Sequence, residues 1–598
     1  MPKFRTDILI ASLFAAIWLA FGFSTVRHYG VMNDAPIKYA SGFRNYYFAV
    51  TGDKAYLDPK NTPELAEKLG LLHEHWFLKT QGFHSVDYAP LFDALSFFAC
   101  DVLHRKLNVL NFFDAHNSVV VALFSAFVGG IYLFAAFLHG RPAGVLSALF
   151  FGLFPRLVAH AHNNLSDIPL MFFFFATAAV FYWAVVRENL YGLVASMGLF
   201  GMAVAAKLNG VFLVFILLPW RLAHKYLDRQ KFSKTEKWTW AVSPLIAYFF
   251  WVANFPYFWT APSLGEFFSR QINSHVFTML TQEKIVGYEG GWNLSVFFQA
   301  LATTPTVCLV FLVPGFAVSL RGLIVKRDSR FVLLFLWLFV PIFKSSLPGI
   351  KNYEMIRHFM EYIPALVVFS SLGALWVYRS VIAIPAVFRF RKPLAVCGTI
   401  SILVSLAVPI YQIHPYETLF FNRLVGGLPG AKRHFMYAYD YWQTSLRSAI
   451  EWVNANGREN AAVAAVAYYD YNVMEPVLLR KDLRKVALRA KAIPMELSLP
   501  DGTVLRGTLN KYDYSGYILM LANDLDRSEF RMFLAADRSL KPLHVFEADG
   551  AEVAKIFYVD RSFGIMDLPD KAFIFYFDRE GKIRNTTTVE KASAERHY

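Results

Sequence analysis

The chain has 598 residues, 56% of them apolar and 17% aromatic, and only 17% are charged, where soluble proteins are about a quarter charged. With a mean hydropathy of +0.36 and repeated apolar runs near the ~20 residues that cross a bilayer, this is the composition of a polytopic membrane protein. The formal charge of +14 comes from Lys and Arg in short loops between apolar runs; no basic face is interleaved with stacking aromatics, so nucleic acid is excluded as a partner.

The first apolar run, Ile8 to Phe23, follows Lys3 and Arg5. It leads into Ser24-Thr25-Val26-Arg27-His28, a poor cleavage site, so a retained helix is expected near 7–25. Asn33-Asp34-Ala35-Pro36 then opens a long loop over residues 26–115. Within it, residues 88–107 read as a juxtamembrane or re-entrant helix in the headgroup layer, because a full crossing would invert the later loops against the positive-inside rule. Further spans are expected near 116–138, 142–158, 168–186, 190–206, 209–221, 239–255, 296–320, 330–346, 357–378 and 394–411, which makes eleven. The run 190–221 breaks at Lys207-Leu208-Asn209-Gly210, predicting two short helices with a turn at Lys207.

Loops 221–237, 321–330 and 379–392 are basic and mark the cytoplasmic side, together with the N-terminus. Asp34, Asp167, Lys207, Arg357 and Arg44 then fall at the opposite, outer edge. After Tyr411 the composition turns polar. Strand-like runs at 461–469, 516–521, 543–546, 553–559 and 573–577, with helical spacing over 441–456, predict an outer soluble α/β domain of residues 412–598. Cys100, Cys308 and Cys397 lie in apolar stretches without metal spacing and read as packing residues.

Two carboxylates, Asp34 and Asp167, border predicted membrane helices on the same face. A carboxylate within hydrogen-bond reach can take the proton from an attacking hydroxyl, and Arg or Lys nearby can hold a phosphate. Each has a structural alternative: Asp34 as a solvated loop residue, Asp167 as a helix N-terminal residue favoured by the macrodipole, Lys207 as a snorkelling side chain, Arg357 and His358 as interfacial anchors. His160 and His162 beside Asp167 raise a metal reading. Residues two apart do not share a helix face, and hard cations favour oxygen, so no metal is expected. The aromatic stretch from His414 to Trp442 reads as an interfacial belt or as a wall on which sugars stack.

The order of these features resembles the GT-C membrane glycosyltransferases, specifically the protein O-mannosyltransferase and lipid A aminoarabinose transferase group. The matching stretches are Gly30 to Gly42, His160 to Leu170, Gly201 to Gly210 and Arg357 to Pro364. The resemblance implies a GT-C-like helical domain over 1–411 that transfers a sugar from a polyprenyl-phosphate donor to a lipid, glycan or protein acceptor on the outer face, with no metal required. It implies Asp34 as general base, where the usual Asp-Glu pair reads Asp34-Ala35. Asp167 would orient substrate or support Asp34. Lys207, Arg357 and Arg44 would hold the donor phosphate, and His160, His162, His358 and Tyr39 would meet substrate. A bacterial inner membrane with the C-terminal domain outside is the expected setting. The rival readings are a transporter or lipid flippase, and a non-catalytic scaffold.

Overall fold

The structure is a computed structural model and describes residues 2–31, 35–71, 78, 90–270, 291–348, 350, 352, 354–434, 438–466, 478–486, 488–498, 504–522, 532–534, 537, 539–567, 571–578, 580 and 582–590. Asp34 lies outside them. The chain separates into two compact units, one of residues 1–29 and 34–427, the other of 30–33 and 428–598.

The first unit is helical. Its main helices in chain order are α1 (Pro2–Thr25), α2 (Ala35–Thr51), α3 (Thr62–Lys68), α4 (Pro90–Ala99), α5 (Phe112–His139), α6 (Arg141–Gly152), α7 (Pro155–Asn163), α8 (Asp167–Val186), α9 (Leu190–Ala206), α10 (Val214–Leu227), α11 (Lys234–Ala253), α12 (Ser295–Thr303), α13 (Thr306–Lys326), α14 (Ser329–Ser346), α15 (Ile363–Ile382) and α16 (Arg391–Ile413). Among the described residues, eight helical stretches are long and apolar enough to cross a membrane; α6 and α7, bent by 65°, make a ninth if taken as one broken span. The eleven expected spans map onto these eight, the bent pair, the 17-residue α9 and α11, whose first turn carries Lys234, Glu236 and Lys237.

The expected span 296–320 is broken. Pro305 has no N–H to continue the ladder, and the carbonyls of Leu301 and Thr304 instead accept from the Asn422 side chain at 2.7 and 2.8 Å. That bond ties the segment after α16 to the helices. The first unit therefore runs on to Gly427, where the sequence reading placed the change at Tyr411. In the region 26–115, α2 and α4 pack together around a buried ion pair, Lys38 Nζ to Asp93 Oδ1 at 3.5 Å. Neither is among the eight apolar spans. From α4 the chain continues through a π-helical turn, Cys100–Lys106.

The second unit holds an eight-stranded mixed sheet among the described residues: β1 (Ala462–Val466), β2 (Arg484–Lys485), β3 (Lys491–Ser498), β4 (Val504–Leu521), β5 (His544–Ala548), β6 (Ala551–Asp567), β7 (Lys571–Phe577) and β8 (Ile583–Glu590). The order is β2-β1-β4-β6-β7-β8, with β3 beside β4 and β5 beside β6. Only β1 pairs in parallel, with β2 and β4. Helix α17 (Thr444–Asn456) packs against β4 and β6. Gly30 belongs to this unit: its N–H donates to Thr444 Oγ1 at 3.3 Å. A Cβ on Gly30 would meet the Gln443 carbonyl oxygen at 2.5 Å, so a side chain has no room there.

Candidate active site

Asp167 opens α8, and the residue that shapes its surroundings is Asn164. The Asn164 side-chain oxygen accepts from the N–H groups of Ser166 (3.1 Å) and Asp167 (2.8 Å), supplying partners to a helix start that has none of its own. Its amide nitrogen donates to Asp167 Oδ2 (3.0 Å) and lies 2.9 Å from His160 Nδ1. An amide NH₂ can only donate, so His160 Nδ1 accepts and the ring proton sits on Nε2. His160, Asn164 and Asp167 are all buried.

Two cations from separate breaks in the helices converge on this carboxylate. The α9 helix stops at Ala206; Lys207 is extended, and a 3₁₀ turn, Leu208–Leu213, follows. Gly210 lets that turn fold back on α9, since a Cβ there would lie 2.6 Å from the Ala203 carbonyl carbon. Lys207 Nζ reaches Asp167 Oδ1 at 2.7 Å. Arg357 comes from the 3₁₀ turn Met355–His358; its Nε lies 2.9 Å from Asp167 Oδ2, and its Nη1 pairs with Glu354. Glu354 and Met355 sit at φ of 59° and 61°, left-handed positions that cost about 1–3 kcal/mol each unless their surroundings hold them.

The network extends through His358. Lys207 Nζ lies 3.2 Å from His358 Nδ1, and an ammonium can only donate, so this ring too carries its proton on Nε2. His358 precedes the apolar span Met360–Ile382. Burial, with Lys207 and Arg357 alongside, pushes its imidazole well below the usual value of 6.5 and keeps it neutral. Lys344, near the end of α14, donates to the His358 carbonyl at 3.2 Å and lies 3.4 Å from Glu361 Oε1. Trp337 Nε1 fixes Glu361 through its backbone oxygen at 2.9 Å. Three acids (Asp167, Glu354, Glu361) thus meet three bases (Lys207, Lys344, Arg357), an arrangement that low-dielectric surroundings tolerate because every charge has an opposite neighbour.

The structure brings Asp167, Lys207, Arg357, His358 and His160 together. It sets His162 apart: two residues from His160, it faces α1 instead. There its ring lies 2.8 Å from Thr25 Oγ1 and stacks on Tyr29 with centroids 4.1 Å apart. Tyr39 and Arg44 ride on α2, where Tyr39 packs against Phe112, Phe113 and His116 and Arg44 is fully buried. In the aromatic stretch from His414 to Trp442, read as an interfacial belt or a sugar-stacking wall, Tyr416, Phe420, Phe421, Tyr439, Tyr441 and Trp442 are buried, and Phe435 and Tyr437 lie outside the described residues. Among the described residues no three metal-ligating side chains cluster. Sequence reasoning missed Asn164, Lys344, Glu354 and Glu361 as site residues. The available signal was the rarity of charge beside apolar runs, with Asn164 three residues before Asp167.

Three acids and three bases thus meet at one end of the apolar helices. Residues 112–253, spanning α5 to α11 and so including Asp167 and Lys207, match the model of the dolichyl-phosphate-mannose-protein mannosyltransferase family. Over that stretch the chain is similar to this family of glycosyltransferases. None of the curated proteins matches it in sequence. Similar solved structures include ArnT from Cupriavidus metallidurans in the apo state (13% identity over 91% of this chain and 97% of that one, TM-score 0.42). The same protein bound to undecaprenyl phosphate gives 14% identity over the same shares, TM-score 0.38. The Archaeoglobus fulgidus oligosaccharyltransferase tethered to an acceptor peptide gives 13% identity over 81% of this chain and 63% of that one, TM-score 0.44.

Proposed function

We propose that the protein transfers a sugar from a polyprenyl-phosphate donor to an acceptor hydroxyl on the outer face of a bacterial inner membrane, with inversion at the anomeric carbon, no metal cofactor, and the C-terminal unit outside the cell. The observation that carries this reading is Asp167 gripping both Lys207 and Arg357 within and beside the stretch that matches a polyprenyl-phosphate-dependent family. In this reading Asp34 takes the proton from the acceptor hydroxyl as its oxygen attacks the anomeric carbon. The bond from that carbon to the phosphate oxygen breaks, and the phosphate leaves with both electrons. Lys207 and Arg357 receive the charge that gathers on the phosphate. Lys207, with 17% of its side chain exposed against 7% for Arg357, is the one a donor reaches first. Asp167 aligns both cations, and neutral His358 accepts a hydrogen bond from Lys207 without competing for the anion.

The test compares wild type with Asp34→Asn in the native membrane, by mass spectrometry of envelope glycans and of polyprenyl-phosphate sugars. Loss of one glycan addition with accumulation of its lipid donor is the expected result, and it identifies the sugar. Unchanged glycans and lipids, with the variant present and folded, overturn the assignment in favour of a transporter or a scaffold.

A further inference from the structure

At the far end of α8 a second polar site appears. Its 20 residues, at 1.5 Å per residue, place it about 30 Å from Asp167. There the C-terminal ends of α5, α8, α10 and α13 meet the start of α14 around an open pocket of about 550 Å³.

The two carboxylates lining this pocket are already engaged. Asp328 is held by Arg330 at 2.6 Å, and Arg330 spends another N–H on the Leu138 carbonyl at 2.6 Å. Asp228 accepts from the hydroxyl of Ser329 and from its N–H at 3.3 Å, and lies 2.6 Å from His224 Nδ1. Two further cations line the same space. Arg187 and Lys326 are both exposed, and neither forms an ion pair among the described residues. Single cations at helix C-termini are ordinary, because they offset the macrodipole. Two of them facing one cavity, with its acids already neutralised, leave a positive excess that wants an anion.

The rim says which kind of anion. Phe137 and Val186 are exposed apolar side chains on the wall of the pocket, and the Arg187 guanidinium lies 5.5 Å over the Phe137 ring. A cationic mouth beside a greasy wall, at the end of membrane-spanning helices, complements a headgroup joined to acyl chains better than a free ion. We propose that this pocket binds the phosphate of an anionic phospholipid from the adjoining leaflet. Arg187 and Lys326 donate to the phosphate oxygens while the chains run along Phe137 and Val186.

The experiment is native mass spectrometry of the full-length protein in detergent, titrated with phosphatidylglycerol, phosphatidylcholine or millimolar inorganic phosphate. Wild type is expected to retain phosphatidylglycerol, to prefer it to phosphatidylcholine, and to keep it in the presence of inorganic phosphate. Arg187→Gln and Lys326→Gln should each weaken retention about fivefold, the equivalent of one basic residue's attraction to an anionic surface. Arg229→Gln, a basic residue outside the pocket lining, should leave it unchanged. Equal retention by both single variants and wild type overturns the proposal. So does displacement of the lipid by inorganic phosphate, which would make this a site for a soluble anion. The readout is independent of sugar transfer, so the two readings can fail separately.

Discussion

Asp167 is where one atom's worth of chemistry decides most. Its carboxylate balances two cations, so Asp167→Asn keeps the shape and leaves Lys207 and Arg357 facing each other. Removing one partner of a buried pair costs about 3–5 kcal/mol; the expected outcome is a clear drop in thermal midpoint, read in detergent, together with loss of transfer. Arg357→Lys tests geometry at constant charge. A lysine cannot hold Asp167 through one nitrogen and Glu354 through another, so turnover should fall at least about tenfold with little loss of stability; unchanged turnover would remove Arg357 from the machinery. His358 gives the pH dependence. Its folded value is depressed below 6.5, so above that pH neither state binds the proton. Below it the unfolded chain takes a proton that the native site refuses, and stability falls as acid is added. The thermal midpoint of wild type should therefore drop more steeply than that of His358→Gln between about pH 7 and about pH 5; parallel curves would refute this.

The site is assembled by interruptions of helices. Asn164 lies just after α7, Lys207 between α9 and its 3₁₀ turn, and Arg357 in the short turn between α14 and α15. Gly210→Ala drives a methyl group into the Ala203 backbone. Such overpacking costs about 1–3 kcal/mol, and here it should also shift Lys207, so donor affinity should fall along with the melting temperature. Asn164→Ala removes the cap of α8, worth about 1 kcal/mol, and frees Asp167 to rotate. Both changes can be read by unfolding and donor binding on the same samples. The break at Lys207 was legible in the sequence, since Lys-Leu-Asn-Gly cannot continue an apolar run; so were the basic loops and the apolar spans. The pairing of Asp167 with Arg357, 190 positions away, was not, because no local pattern encodes which helix ends become neighbours. In the second unit the apolar runs of β1, β5, β6 and β7 were visible. The hairpin of β3 with the first half of β4 was missed because Pro494 interrupts a run that otherwise alternates at Ile493, Met495 and Leu497, and the edge strand β8 because its residues are mostly polar.

At the scale of the molecule, the helices carry different balances of charge at their two ends. The Asp167 end pairs three acids with three bases, whereas the other end gathers Arg187, Lys225, Lys326 and Arg379. In the orientation proposed above, that asymmetry follows the positive-inside rule. A last consequence concerns time. Gly30 stands four residues before Asp34, and its hydrogen bond to Thr444 joins positions 414 residues apart. A ribosome adding about 5–20 residues per second needs roughly 20 to 80 seconds to travel from one to the other. Throughout that interval the segment leading into the candidate base has been made but has nothing to dock on. Chains stalled or cut before Thr444 lack this hydrogen bond, and limited proteolysis around Gly30 is expected to be faster in them than in the full chain.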